Sequence, residues 1–155
     1  MNLQNKVNLT SLLALVLVTS CMIVGCSDLK EVRYRTIAEA QADGAFERGW
    51  LPRVLPSTVT DIREIHDLDT NEVWGSFSIA GVDKSTLANM TSSCRADTSP
   101  IRTEAPGASW WPTYLSGSLD RVRISEEGVS IFSCGPEPRV FLATSPRTNT
   151  GYFWH

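Results

Sequence analysis

The chain is 155 residues long with a formal net charge of −3, a length that suits one compact domain plus an export segment and argues against two independently folding domains. Its 14 basic and 17 acidic residues are well mixed. No cluster of Lys and Arg is available to neutralise phosphates, which argues against a nucleic-acid partner.

The first 25 residues read as a secretory leader. Lys6 is the one cation ahead of the apolar run Leu12–Val18, which has the length of a signal-peptide core and falls short of the roughly 20 apolar residues a membrane span requires. The run leads into Ile23-Val24-Gly25-Cys26, a branched apolar residue, an apolar one, a small one and a cysteine. This resembles the lipobox of bacterial lipoprotein signal peptides. The resemblance implies cleavage before Cys26, a diacylglyceryl group on its thiol, and a membrane partner engaged through acyl chains, each buried methylene contributing about 0.8 kcal/mol. Val18-Thr19-Ser20-Cys21 is a poorer match, because apolar Met22-Ile23-Val24 follows Cys21 whereas polar Ser27-Asp28 follows Cys26. In the family's sorting rule Ser27 directs the protein to the outer membrane, facing the periplasm. Residues 26–35 are expected as a tether and 36–155 as a single soluble domain.

Thr36-Ile37-Ala38-Glu39 has the form of a capping box opening a short helix that Gly44 limits. The prolines of Gly49-Trp50-Leu51-Pro52-Arg53-Val54-Leu55-Pro56 favour an extended segment. Residues 59–66 and 73–80 read as a hairpin about the polar turn 67–71, with Val73, Gly75, Phe77 and Ile79 alternating against Trp74, Ser76 and Ser78. Asp83 caps a helix through about Ser92, with Val82 and Leu87 spaced as a hydrophobic staple. Residues 95–109 lack periodicity and contain Pro100, Pro106 and Gly107, the marks of a long surface loop. Pro112 suits the start of one helical turn through Leu115. Strands are expected over 119–124, 129–134, 139–143 and 151–154. The sum is an α+β domain: an antiparallel sheet of about five or six strands with two or three short helices on one face.

Of four cysteines, Cys21 and Cys26 belong to the leader, leaving Cys94 and Cys134 as an even pair in an oxidising compartment. A disulfide is expected; two buried thiols are the alternative. A metal pair lacks the neighbouring ligands that zinc requires, and no cofactor is implied.

The densest polar stretch is Asp61, Glu64, His66, Asp67, Asp69 and Asn71. Asp67-x-Asp69-x-Asn71 has the spacing that opens a calcium loop, but Glu72 stands where a glycine is needed and Ser78 where a bidentate Glu is needed, so these residues read as turn formers. Alternation puts Glu64 and His66 on one strand face. They could form an acid–base pair, although a hydrogen-bonded surface histidine is the blander reading, and His155 sits at a terminus expected to be mobile. No GxSxG, HExxH, phosphate-binding glycine loop or dinucleotide fingerprint is present in the sequence.

Five tryptophans are many for so small a domain. Trp faces stack on sugars, peptides or a partner's side chains, and they also fill cores. Trp110 and Trp111, with Tyr114, adjoin the long loop, and Trp74 falls on the polar side of its strand, so these four are the candidate binding residues. Gly49-Trp50-Leu51-Pro52, Asp67-x-Asp69-Thr70-Asn71 and Gly151-Tyr152-Phe153-Trp154 resemble stretches of exported bacterial proteins of unknown function. The leading expectation is a tethered, non-enzymatic envelope domain binding a protein or glycan partner. The alternatives are a small envelope hydrolase using His66 with Glu64, or a purely structural lipoprotein.

Overall fold

The computed structural model describes residues 29–97, 102–119, 121–135 and 139–155; the leader, Cys21 and Cys26 lie outside them. In chain order the elements are β1 (Leu29–Thr36), α1 (Ile37–Ala42), β2 (Thr60–Asp67), β3 (Val73–Ser78), α2 (Lys84–Thr91), β4 (Cys94–Ala96), β5 (Arg102–Thr103), a 3₁₀ turn (Thr113–Leu115), β6 (Gly117–Ser118), α3 (Arg121–Glu126), β7 (Ser130–Cys134), β8 (Val140–Ser145) and β9 (Thr150–Trp154). One sheet runs β1-β2-β3-β9-β8-β7-β4, every neighbouring pair antiparallel, and β5–β6 form a separate ribbon.

The α+β class and the antiparallel sheet are as expected, but the sheet has seven strands among the described residues, two of them in segments expected to be irregular. Residues 29–35, expected as tether, are β1. Their charges alternate with Val32 and Tyr34, and this is the pattern of an edge strand that buries one row and keeps the other in water; Leu29 pairs with Asp67 and Thr36 with Thr60. β4, at the other edge, occupies the start of the expected long loop. It has only three residues, too few to show a period, and the disulfide Cys94–Cys134 joins it to β7 at a position where the two cysteines face each other across the ladder.

Both faces of the sheet are covered, which corrects the expectation of helices on one face. Along β9, Phe153 enters one core while Tyr152 and Trp154 enter another. The first core takes Ile37 and Ala40 of α1, Met90 of α2, and Leu51, Leu55 and Val59 from the segment before β2. The second takes Leu115 of the 3₁₀ turn, Ile124 of α3 and Trp111. A side chain on the apparently polar side of a central strand is therefore still interior.

The caps follow from the sequence. Thr36 Oγ1 accepts from the Glu39 N–H at 3.2 Å, and the Glu39 carboxylate reaches back to the Arg35 N–H at 2.7 Å. Asp83 accepts from the Thr86 N–H at 2.9 Å, with Val82 and Leu87 packed on the same core. The strand expected over 119–124 is not formed: residues 121–124 are the first part of helix α3, which runs to Glu126. Arg121-Val122-Arg123-Ile124 alternates, but of its two apolar residues Ile124 is buried while Val122 is 67% exposed. Gly128 closes the helix, with the Gly128 N–H donating to Ser125 O and the Val129 N–H to Ile124 O, each at 3.0 Å, the paired bonds of a Schellman ending.

Candidate functional site

The alternation of β2 puts Ile62, Glu64 and His66 on the face of the first core. β2 is an interior strand, and both polar side chains are buried, Glu64 at 0% and His66 at 1% exposure. His66 Nδ1 lies 2.9 Å from Glu64 Oε2 and 3.2 Å from Oε1. The expected pairing on one face is thus present, while the expected surface position of the histidine is not: the segment 48–50 roofs it. Burial pushes the Glu64 carboxyl above its ordinary range, and the bond to His66 opposes that rise. His66 Nε2 is buried with no hydrogen-bond partner, as are the indole N–H groups of Trp111 and Trp154.

Gly49 builds the roof. With φ at +80° it turns the chain where a side chain would be strained, and the Trp50 N–H returns to Ala45 O at 3.0 Å. Trp50 then stacks on the His66 ring, with centroids 3.7 Å apart and planes 12° apart. Arg48 lies over the other ring system's partner, its guanidinium carbon 4.0 Å from the Trp50 centroid, and donates to the Asp43 backbone carbonyl at 2.6 Å while pairing with the Asp43 carboxylate. Tyr34 Oη donates to the same carboxylate at 2.8 Å. The bonds from Tyr34 and Arg48 hold the Asp43 carboxyl below its usual value, whereas burial, reinforced by Asp43, pushes the Tyr34 hydroxyl up.

His155, expected at a mobile end, is fixed. Its backbone exchanges two 3.1 Å hydrogen bonds with Val73, and its Nε2 bonds Gly49 O at 3.1 Å. A carbonyl only accepts, so Nε2 carries the proton; burial lowers the pKa of this histidine and favours its neutral form. Because Val73 is paired with His66 on its other side, the two histidines share one row of the sheet beneath one roof. Sequence reasoning missed this, since the pairing of β3 with β9 is what brings residue 155 beside residue 73.

The four aromatic candidates separate. Trp74 and Trp111 are 6% and 5% exposed, so neither offers a binding face. Trp111 packs edge-on against Tyr152 and Trp154, each with centroids 5.9 Å away, because the second core occupies the side of β3 that alternation marked as polar. Tyr114 is half-buried against this core, and burial together with Tyr152 pushes its hydroxyl up. Trp110 is half-buried. It meets Trp111 edge-on at 6.1 Å, and its Nε1 donates to Glu31 Oε1 at 3.2 Å. The aromatic patch thus shrinks to Trp110, while the Glu64–His66 pair of the hydrolase alternative is assembled.

The 67–71 segment is a turn, as its residue types suggest. Asp67 Oδ1 accepts from the Asp69 and Thr70 N–H groups at 2.8 and 3.3 Å, and Asn71 takes a φ of +59°.

Residues 28–78 match the family model described as the YbbD head domain. The match spans β1 to β3, with Trp50, Glu64 and His66 inside it, and stops before α2. No curated protein and no solved structure matches the chain.

Proposed function

We propose that the chain is a membrane-tethered envelope protein and a small hydrolase in which His66 acts as base under the direction of Glu64. The supporting observation is the unequal use of the two imidazole nitrogens. A proton on Nδ1 is held by the Glu64 carboxylate, and Nε2, left with its lone pair, has no partner. This is the relation between an orienting carboxylate and a base in nucleophile-activating sites. Nε2 takes a proton from a water whose oxygen attacks a substrate carbonyl carbon, then returns it to the leaving group. Trp50 must lift for this to happen. Its segment is held by Arg48 and Asp43 at the surface, by the Trp50 N–H on Ala45 O, by His155 through Gly49 and by the packing of Trp50 on the first core, and these are the contacts that opening must break.

The test is turnover of p-nitrophenyl acetate by the detergent-solubilised full chain and by folded His66→Ala, Glu64→Gln and Trp50→Ala variants. A general base contributes about 10²- to 10⁴-fold, so a drop of that order is expected in His66→Ala, a smaller one in Glu64→Gln, and none in Trp50→Ala, which removes the cover. Equal turnover in wild type and His66→Ala would sink the hydrolase reading. The tether rests on the lipobox resemblance at Cys26. Intact mass of the membrane-extracted protein should show an acylated chain that vanishes in Cys26→Ser and persists in Cys21→Ser; an unmodified full-length mass would overturn it.

A second reading, a tethered binding domain for an envelope partner, is favoured by one observation. Trp110 stays partly exposed and is held at its edge by Glu31.

A further inference from the structure

On the face of the sheet opposite His66, β2, β3 and β9 floor a groove of about 490 Å³, a size in the ordinary range for small-ligand sites. Trp110 walls one side, and Asp61, Arg63, Ser76, Ser78 and Asn149 supply polar groups. We infer that this groove binds a neutral saccharide, an inference that deepens the binding-domain reading and is independent of the Glu64–His66 chemistry.

Four observations carry it. First, Trp110 is a fixed platform: the bond to Glu31 and the edge of Trp111 set its plane before any ligand arrives. A pyranose offers an apolar C–H face that stacks on such an indole. Second, among the described residues the Asp61 carboxylate, the Arg63 guanidinium and the Asn149 amide make no side-chain hydrogen bond or ion pair within the chain. Each is a planar group with at least two polar atoms, suited to bridging neighbouring hydroxyls of a sugar. Third, the backbone delivers two of them by unusual means. Asp61 sits in the register shift between Thr60 and Arg63, and both it and Asn149 have φ near +51°, a left-handed conformation that Asp and Asn adopt more readily than other non-glycine residues.

Fourth, the charges decide the ligand class. One carboxylate and one guanidinium leave the groove balanced, so a phosphate or carboxylate would meet Asp61 as well as Arg63. β2, β3 and β9 are all interior strands, so the floor has no free strand edge onto which an extended peptide could add. A neutral sugar, with its own donors and acceptors and one apolar face, satisfies both conditions.

The experiment is a tryptophan-fluorescence titration of the detergent-solubilised full chain with maltotriose, cellotriose and tri-N-acetylchitotriose in turn, and with alanine pentapeptide as the competing class. Saturable binding of at least one trisaccharide is expected, weakened at least tenfold in Trp110→Phe, read by competition with the labelled sugar, and in Asp61→Asn with Asn149→Ala. Asp61, at the register shift of β2, and Asn149, in the turn before β9, are both exposed, so the paired polar variant keeps the test valid should the Trp variant misfold. Binding of none of the three sugars, binding of the pentapeptide instead, or equal affinity in folded variants would overturn the inference. Loss of sugar binding leaves the esterase assay untouched, so the two proposals fail separately.

Discussion

The ring of Phe153 lies over the bare backbone of Gly75, and two residues along the same ladder the ring of Phe77 lies over Gly151. Each glycine faces an aromatic residue on the neighbouring strand, and the two rings fall 6.4 Å apart in the first core. A Cβ at either glycine would stand inside the facing ring. Phe77 and Phe153 are fully buried, so neither can move aside cheaply. Gly75→Ala is expected to destabilise the fold by about 3 kcal/mol, the upper part of the overpacking range. Phe153→Leu in the Gly75→Ala background should recover part of that loss, as measured by urea midpoints.

The sequence already contained β3 and β9 as strands, both caps and the cysteine pair, because local rules dictate each of them: alternation, a short polar side chain before an apolar period, and an even thiol count. It did not disclose which face of β3 was interior. Trp74 looks polar-facing only if nothing covers it, and the cover comes from residues 108–119 and 121–131, remote in the chain. The same blindness displaced His66 from surface to core. That Glu64 and His66 share a face was legible from their spacing; that Trp50 closes over them required a turn at Gly49 and a strand order no local pattern encodes.

Glu64 should leave its mark on the pH dependence of stability. Burial raises its carboxyl above the ordinary 4.5, so the folded state holds the proton more tightly than the unfolded state. That contribution is fully present below the unfolded pKa and is lost as pH rises through the folded value. The stability of wild type relative to Glu64→Gln should therefore decline across a pH series rising from 4.5. A difference that stays flat or grows with pH would mean that His66 outweighs desolvation.

Asp83 should behave in the opposite sense. Hydrogen bonds from Ser85 and Thr86 hold its carboxyl well below the ordinary 3.8, so the cap stabilises α2 above that pH and ceases to as acid protonates it. Asp83→Ala is expected to lower the melting temperature at neutral pH, with the gap to wild type closing as the pH falls below 3.8. Thermal melts followed by circular dichroism would check both parts.

Cys94 and Cys134 close a separation of 40 residues, for which the chain-entropy model gives about 4 kcal/mol. β4 has only three residues and pairs solely with β7. Its docking should depend on the bond more than any other strand does. The double variant Cys94→Ala with Cys134→Ala is expected to lose roughly that amount, with hydrogen exchange accelerating first at residues 94–96 and 130–134.

Leu29, the first described residue and already in β1, stands three residues after Cys26. Three residue steps reach about 10 Å at full extension, so acyl chains on Cys26 would hold the Leu29 end of the sheet down among the lipid headgroups. His66 pairs with Lys30, next to that end, whereas Thr60 and Ser78 stand with Thr36 at the other. Seven strand steps set the two ends about 23 Å apart. On that tether the histidine row would sit at the end of the sheet nearer the lipid, with Asp61, Ser78 and Asn149 of the groove at the end farther from it.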